Sequence, residues 1–208
     1  ALPVGGSIGD FVGTAELRWW FSGGLLNATA FLPKLRTWAQ AAIEPRAPYA
    51  TRGTAVVNAL DVQPFALAGG ALTDAVSGTV GLSASFEGRL SEPDTLQAFV
   101  NLQDVALSVG GLPVRLERPA RLTVRRDDFS VDDLALAVGR SAFTAAGRFH
   151  DTLAAPLRAA LIGELSDVVA LGRSFGALPD VDANGRLTAT WESRGSIEQA
   201  RSTAAVAN

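Results

Sequence analysis

The 208-residue chain has no cysteine, no methionine and a single histidine, His150. Without cysteine there can be no disulfide, no thiolate zinc site and no thiol nucleophile. One histidine cannot supply a two-histidine metal centre, and no metal or cofactor is expected. Charge is scarce too: charged residues make up 19% against 48% hydrophobic ones, with a formal net charge of −3. That balance leaves no positive footprint for duplex nucleic acid, which is therefore not an expected partner. Lys34 is the one lysine among the basic residues, the rest being arginine, a bias that fits a GC-rich genome. Long apolar runs are also missing. Asn27 interrupts Leu25–Leu32, and Asn58 and Asp61 interrupt Ala55–Leu67, whereas a membrane-spanning helix needs roughly 18 or more apolar residues in a row. Ala1-Leu2-Pro3-Val4 lacks the basic region and apolar core of a secretory signal. The absence of any methionine points to a piece of a longer chain, with targeting or anchoring segments expected outside it.

What is present is alternation. Thr79–Gly88 places Val80, Leu82, Ala84 and Phe86 on one face and Thr79, Ser83, Ser85 and Glu87 on the other. Leu96, Ala98, Val100 and Leu102 repeat the pattern against Gln97 and Asn101, interrupted only by Phe99. Further short strands are predicted at Val105/Leu107/Val109, Leu112/Val114/Leu116, Leu122/Val124, Leu134/Leu136/Val138 and Phe143/Ala145. Period two over short runs marks half-buried strands. Gly110-Gly111, Arg126-Asp127-Asp128, Gly139-Arg140-Ser141 and Asn184-Gly185 supply turns between them. With no room for crossover helices, the expected arrangement is an antiparallel meander. Short helices are predicted at Leu32–Ile43, which opens with Pro33, and at Asp61–Ala68 and Asp167–Phe175, each begun by an Asp able to cap. The fold expectation is mainly β with one to three short helices.

An irregular repeat runs through the chain. Gly13–Gly23 and Gly78–Gly88 share both end glycines, Thr14/Thr79, Leu17/Leu82 and Phe21/Phe86, and Gly185–Gly195 keeps the glycines and the alternation. In the first copy Leu17, Trp19 and Phe21 share a face; in the third, Leu187, Ala189 and Trp191 do. The repeat divides the chain into an N-terminal strand-and-helix section (1–52), a main β section (53–184) and the start of a further copy (185–208). One apolar sheet face needs a cover, and so few helices cannot roof about twelve strands. The sheet must close into a sandwich-like core or curl into a trough.

The ordered succession of motifs carries a resemblance. Leu82–Pro93 reads L-x-A-x-x-x-G-x-L-x-x-P and Leu96–Leu107 reads L-x-A-x-V-x-L-x-D-V-x-L. After them come P-V-R-L-x-x-P-A-R-L-T-V at Pro113–Val124, F-x-V-D-D-L-A-L-x-V-G-R-S at Phe129–Ser141 and T-A-A-G-R-F at Thr144–Phe149. This resembles the repeat units of the TamB/AsmA-like envelope proteins of diderm bacteria, well over residues 50–208 and loosely before. The Pro33–Glu44 segment and Trp19-Trp20 depart from the family pattern. The resemblance implies a U-shaped, taco-like antiparallel sheet with an apolar concave face. It implies a periplasmic segment of an inner-membrane-anchored bridge that carries phospholipid towards the outer membrane without catalysis. Acyl chains would lie along Leu17, Trp19, Phe21, Val80, Leu82, Ala84, Phe86, Leu96, Ala98, Val100, Leu102, Leu107, Val114, Leu116, Leu122, Val124, Leu134, Leu136, Val138, Leu187 and Trp191. The alternatives are a scaffold for outer-membrane protein insertion or secretion, with a barrel protein as partner, and a closed structural β-domain.

Other chemistry is weaker. Gly172-Arg-Ser174-Phe-Gly176 matches the G-x-S-x-G elbow, but that elbow needs a strand before it and a helix after it, whereas Ala177–Asn184 reads as loop, and His150 precedes the serine against the hydrolase order. Asp127-Asp128 and Asp132-Asp133 lack the glycine-bearing loop and closing Glu of a calcium site. Arg115, Arg118, Arg121, Arg125 and Arg126 interleave with apolar residues and read as an outward face.

Overall fold

Alternation becomes architecture in the computed structural model, which describes residues 14–63, 76–125, 128–149, 156–174 and 183–193, together with the backbone of 201–207. Thirteen strands form one antiparallel sheet: β1 (Glu16–Ser22), β2 (Leu25–Leu32), β3 (Thr37–Ile43), β4 (Ala50–Asp61), β5 (Val76–Arg89), β6 (Glu92–Val109), β7 (Leu112–Leu116), β8 (Ala120–Arg125), β9 (Asp128–Val138), β10 (Ser141–Phe149), β11 (Leu157–Glu164), β12 (Arg186–Ser193) and β13 (Arg201–Ala207). Strands follow one another in chain order, with a single departure. Both β7 and β8 lie between β6 and β9: β7 pairs the end of β6 through Ala106–Val109, and β8 pairs its start through Gln97–Leu102. They form one row broken at residues 117–119, so the sheet has twelve rows. Eleven spacings of about 4.8 Å make it about 50 Å long. The three sections read from the repeat are parts of this one sheet.

Tight turns hold the meander. Gly23-Gly24 and Gly110-Gly111 have φ values of 59° and 78°, and of 58° and 81°. These left-handed pairs match the strand twist, and only glycine adopts them without steric cost.

Among the described residues there is one α-helix, α1 (Leu165–Ser174). It corresponds to the helix predicted from Asp167 but begins two residues earlier. Asp167 is therefore inside the first turn rather than its cap. The helix predicted at Asp61–Ala68 lies almost wholly outside the described residues.

The predicted helix Leu32–Ile43 is a correction. Pro33–Leu35 makes a single 3-10 turn, closed by Arg36 in the left-handed region (φ 49°), and the chain then runs extended as β3. Leu35, Trp38, Ala39, Ala42 and Ile43 match helical spacing only because both faces of β3 are partly apolar. Alanine's helix preference amounts to a few tenths of a kcal/mol per residue, and complete pairing with β2 and β4 overrides it.

A crease crosses β4 to β10 perpendicular to the strands. Register shifts fall between Val57 and Leu60 on β4, between Gly81 and Leu82 on β5, and between Ala145 and Gly147 on β10. The β7–β8 break lies in the same line, and Ala59 (φ 52°) and Asp133 (φ 51°) mark it on β4 and β9. The pairing aligns these irregularities: Val57 lies opposite Leu82, Leu82 opposite Leu102, and Leu102 opposite Ala120. Bulges bend strands and sharpen twist. A row of them folds a sheet along a line, which makes this meander a U-shaped trough.

Candidate functional site: one apolar face

Residues opposite one another in a ladder point to the same side, so the register assigns every side chain to a face. Trp19 pairs with Ala28, Ala28 with Ala41, Ala41 with Gly53, Gly53 with Phe86, and Phe86 with Ala98. The row continues through Val124 and Phe129 to Phe149. A second row runs from Val57 through Leu82, Leu102 and Ala120. Near the opposite rim Leu107 pairs with Val114, Val114 with Val138, and Val138 with Ser141, while Trp191 pairs with Ala159. By this tracing all the groove residues expected from the sequence, from Leu17 to Trp191, fall on one continuous face.

Bulges make this continuity possible. Leu102 and Val105 differ by an odd step and would point to opposite sides of a regular strand; the register shift opposite Gly81/Leu82 returns both to one face. Val131 and Leu134 are brought together in the same way, opposite Gly147 and Ala145.

Burial identifies the concave side. Of the buried apolar residues, Val105, Val114, Ala120, Val131, Val138, Ala145 and Leu187 lie on this face, and Ala135 alone on the other. A flat single layer would expose both faces alike. Ala120 is 3% and Val131 4% exposed, as expected where the face folds towards itself. The two lie beside the crease row.

Towards the rim the trough opens. A cavity of about 730 Å³ is lined by Phe86, Pro93, Leu96, Ala98 and Val124, with Gln97 and Arg125 at its edge. At the far end of the sheet Leu17, Trp19 and Phe21 are 65%, 73% and 64% exposed.

Helix α1 closes the other rim over β7–β11. The Asp167 carboxylate is buried and accepts hydrogen bonds from the Arg140 backbone N–H (2.7 Å) and the Ser141 hydroxyl (3.1 Å). The Ser141 oxygen in turn accepts from the Glu164 N–H (3.1 Å). An acidic side chain in a helix's first turn is also favoured by the helix dipole. At the other end of α1 the Ser174 hydroxyl donates to the Ala170 carbonyl (2.8 Å) and packs against Gly110. Ser174 thus ends a helix instead of following a strand, unlike a nucleophile elbow. His150 lies outside the described residues.

The opposite face is polar and cross-linked. Arg121 donates to Asn101 Oδ1 (3.2 Å), Arg125 to Gln97 Oε1 (2.7 Å) and Arg158 to Glu192 Oε2 (3.2 Å), each across directly opposed positions. The arginine cluster is therefore spread along the outer wall, with Arg126 outside the described residues. Arg118 binds Asp133 beside the crease. That hydrogen bond holds the Asp133 carboxyl below the usual aspartate range and the Arg118 guanidinium above its own. Among the described residues no group of three or more acidic or histidine side chains could hold a metal.

Sequence reasoning missed part of the lining. Leu26, Ala28, Ala39 and Ala55 on β2–β4, and Ala159 and Leu161 on β11, share the face. The alternation of β3 was visible in Thr37-Trp-Ala-Gln-Ala, but alanine masked it. Comparison of the chain with family models, curated proteins and solved structures finds no match.

Proposed function

We propose that the apolar trough is a path for phospholipid acyl chains, and that the chain is a section of a TamB/AsmA-like bridge across the periplasm of a diderm bacterium. The observation that carries this reading is the continuous, largely apolar face, traced through the eleven rows from β1 to β12 of one bent sheet. A diacyl lipid hides roughly 30 methylenes, so exposing its tails to water costs on the order of 25 kcal/mol at about 0.8 kcal/mol each. A continuous trough offsets most of that cost without a specific pocket, and the polar outer wall keeps it wetted outside. Headgroups would ride at the rim, where Arg125 stands beside the apolar opening.

The test is extraction of a fluorescent phospholipid from vesicles by the purified chain. Leu82→Arg should abolish extraction while moving the unfolding midpoint far less than a core substitution, and Ser83→Arg on the outer wall should leave it intact. Equal extraction by all three proteins would overturn the reading.

One observation favours the scaffold alternative. All seven residues of β1 are exposed, and among the described strands β1 pairs only with β2. An exposed apolar edge strand is a template for strand addition. A scaffold of this kind would bind an unfolded barrel strand at β1 and extract no lipid.

A further inference from the structure

The outer wall is not uniformly sealed by its own hydrogen bonds. Between β1 and β6 it holds a depression of about 390 Å³, with Trp20 and Phe99 at its ends and Asn27, Gln40, Arg52 and Glu87 in the two outward rows along its sides; between those rows lies the Ala28–Ala41–Gly53–Phe86 row of the sheet. The register places these residues opposite the apolar trough: Trp20 pairs with Asn27, Asn27 with Ala42, Ala42 with Arg52, Arg52 with Glu87, and Ser85 with Phe99. This also accounts for Phe99, the residue that interrupts the alternation of β6. Further along the same wall polar side chains pair with each other. Here Gln40, Arg52 and Glu87 make no side-chain hydrogen bond or ion pair among the described residues.

We infer that this depression binds a neutral glycan chain. Its charge argues for a neutral ligand, because Arg52 and Glu87 stand directly opposed and cancel, leaving the Gln40 amide, the Asn27 carbonyl oxygen and hydroxyls as the remaining polar groups. Planar amide, guanidinium and carboxylate groups supply paired donors and acceptors for vicinal hydroxyls. Trp20 and Phe99 supply apolar ring faces on which the C–H faces of sugar rings stack. Five inter-strand spacings of about 4.8 Å separate β1 from β6, which gives a track long enough for several linked rings. The volume is within the ordinary range for ligand sites.

The proposal is independent of the lipid path, which occupies the other face, and adjacent tryptophans separate the two. Titration of the full chain with the tetramer of N-acetylglucosamine and with the β-1,4-linked glucose tetramer, followed by tryptophan fluorescence and calorimetry, should give saturable binding of at least one. Trp20→Ala should weaken it about tenfold, the loss of one stacked ring, while Trp19→Ala on the trough side should leave it within about twofold. Gln40→Ala, which keeps both aromatic walls, should also weaken it and serves if Trp20→Ala fails to fold. No saturable binding of either sugar, or binding that survives both Trp20→Ala and Gln40→Ala, would overturn the proposal. A depression that instead captures peptides and ignores both sugars would overturn it as well.

Discussion

The two ends of the sheet treat the same apolar face differently. From β6 to β12 it carries seven of the buried apolar residues, beneath α1 and along the crease. Over β1–β4 it is open: Leu17, Trp19 and Phe21 are exposed, and the one buried residue, Thr51, is polar. The strand chemistry is similar throughout, so cover and curvature make the difference. Where bulges line up and a helix spans the rim, apolar side chains become core; where the helix is missing, they stay available. Stability should therefore reside in β6–β12 and accessible apolar surface in β1–β5.

Charge substitution should expose that difference most strongly. Val131→Asp places a carboxylate where only 4% of the side chain's residue surface is exposed, and should cost about 4 kcal/mol or unfold the chain. Leu17→Asp on the same face should stay within about 0.5 kcal/mol. Urea unfolding measures both, and equal losses would end the distinction.

A smaller effect is expected at the rim. Asp167→Ala removes the acceptor for the Arg140 N–H and the Ser141 hydroxyl, at about 2 kcal/mol. Hydrogen exchange should then quicken in α1 and at the β9–β10 turn, while β1–β3 stay unchanged. Uniform quickening would show that α1 is not a separate closure.

In the open half, Gly53→Ala brings a Cβ against the Phe86 ring and to 2.6 Å from the Gln40 carbonyl. The ring can swing outward but the carbonyl cannot, so a loss of about 1 kcal/mol is expected.

The smallest effect belongs to Arg118 and Asp133, an exposed pair. Asp133 titrates below its usual 3.8, so its contribution is present above that pH and fades as pH falls through the lowered value. Wild type and Arg118→Ala should differ slightly at pH 7 and converge in strong acid. A difference that grows on acidification would reverse the assigned sign.

Much of the fold was legible because a half-buried strand writes its face into the sequence every second residue. Val80–Phe86 and Leu96–Leu102 needed nothing more. Two things were hidden. Bulges such as those near Gln103 and Asp133 reset the phase without any strong local signal, so a single face looks in sequence like separate fragments. Alanine-rich β3 carries too little side chain to declare its period, and Pro33 imitates a helix start. The outer depression was hidden for another reason: Trp20, Gln40, Arg52, Glu87 and Phe99 come from five strands, and only the register brings them together.

The central claim, that one face of this sheet is a lipid path, is tested most directly by photo-crosslinking residues placed at Leu82, Val100 and Leu136, and at Ser83 and Arg121 on the outer wall. After irradiation in the presence of phospholipid, adducts should form at the first three positions and be rare at the last two. Adducts at equal frequency on both faces, or at none of these positions, would contradict the account.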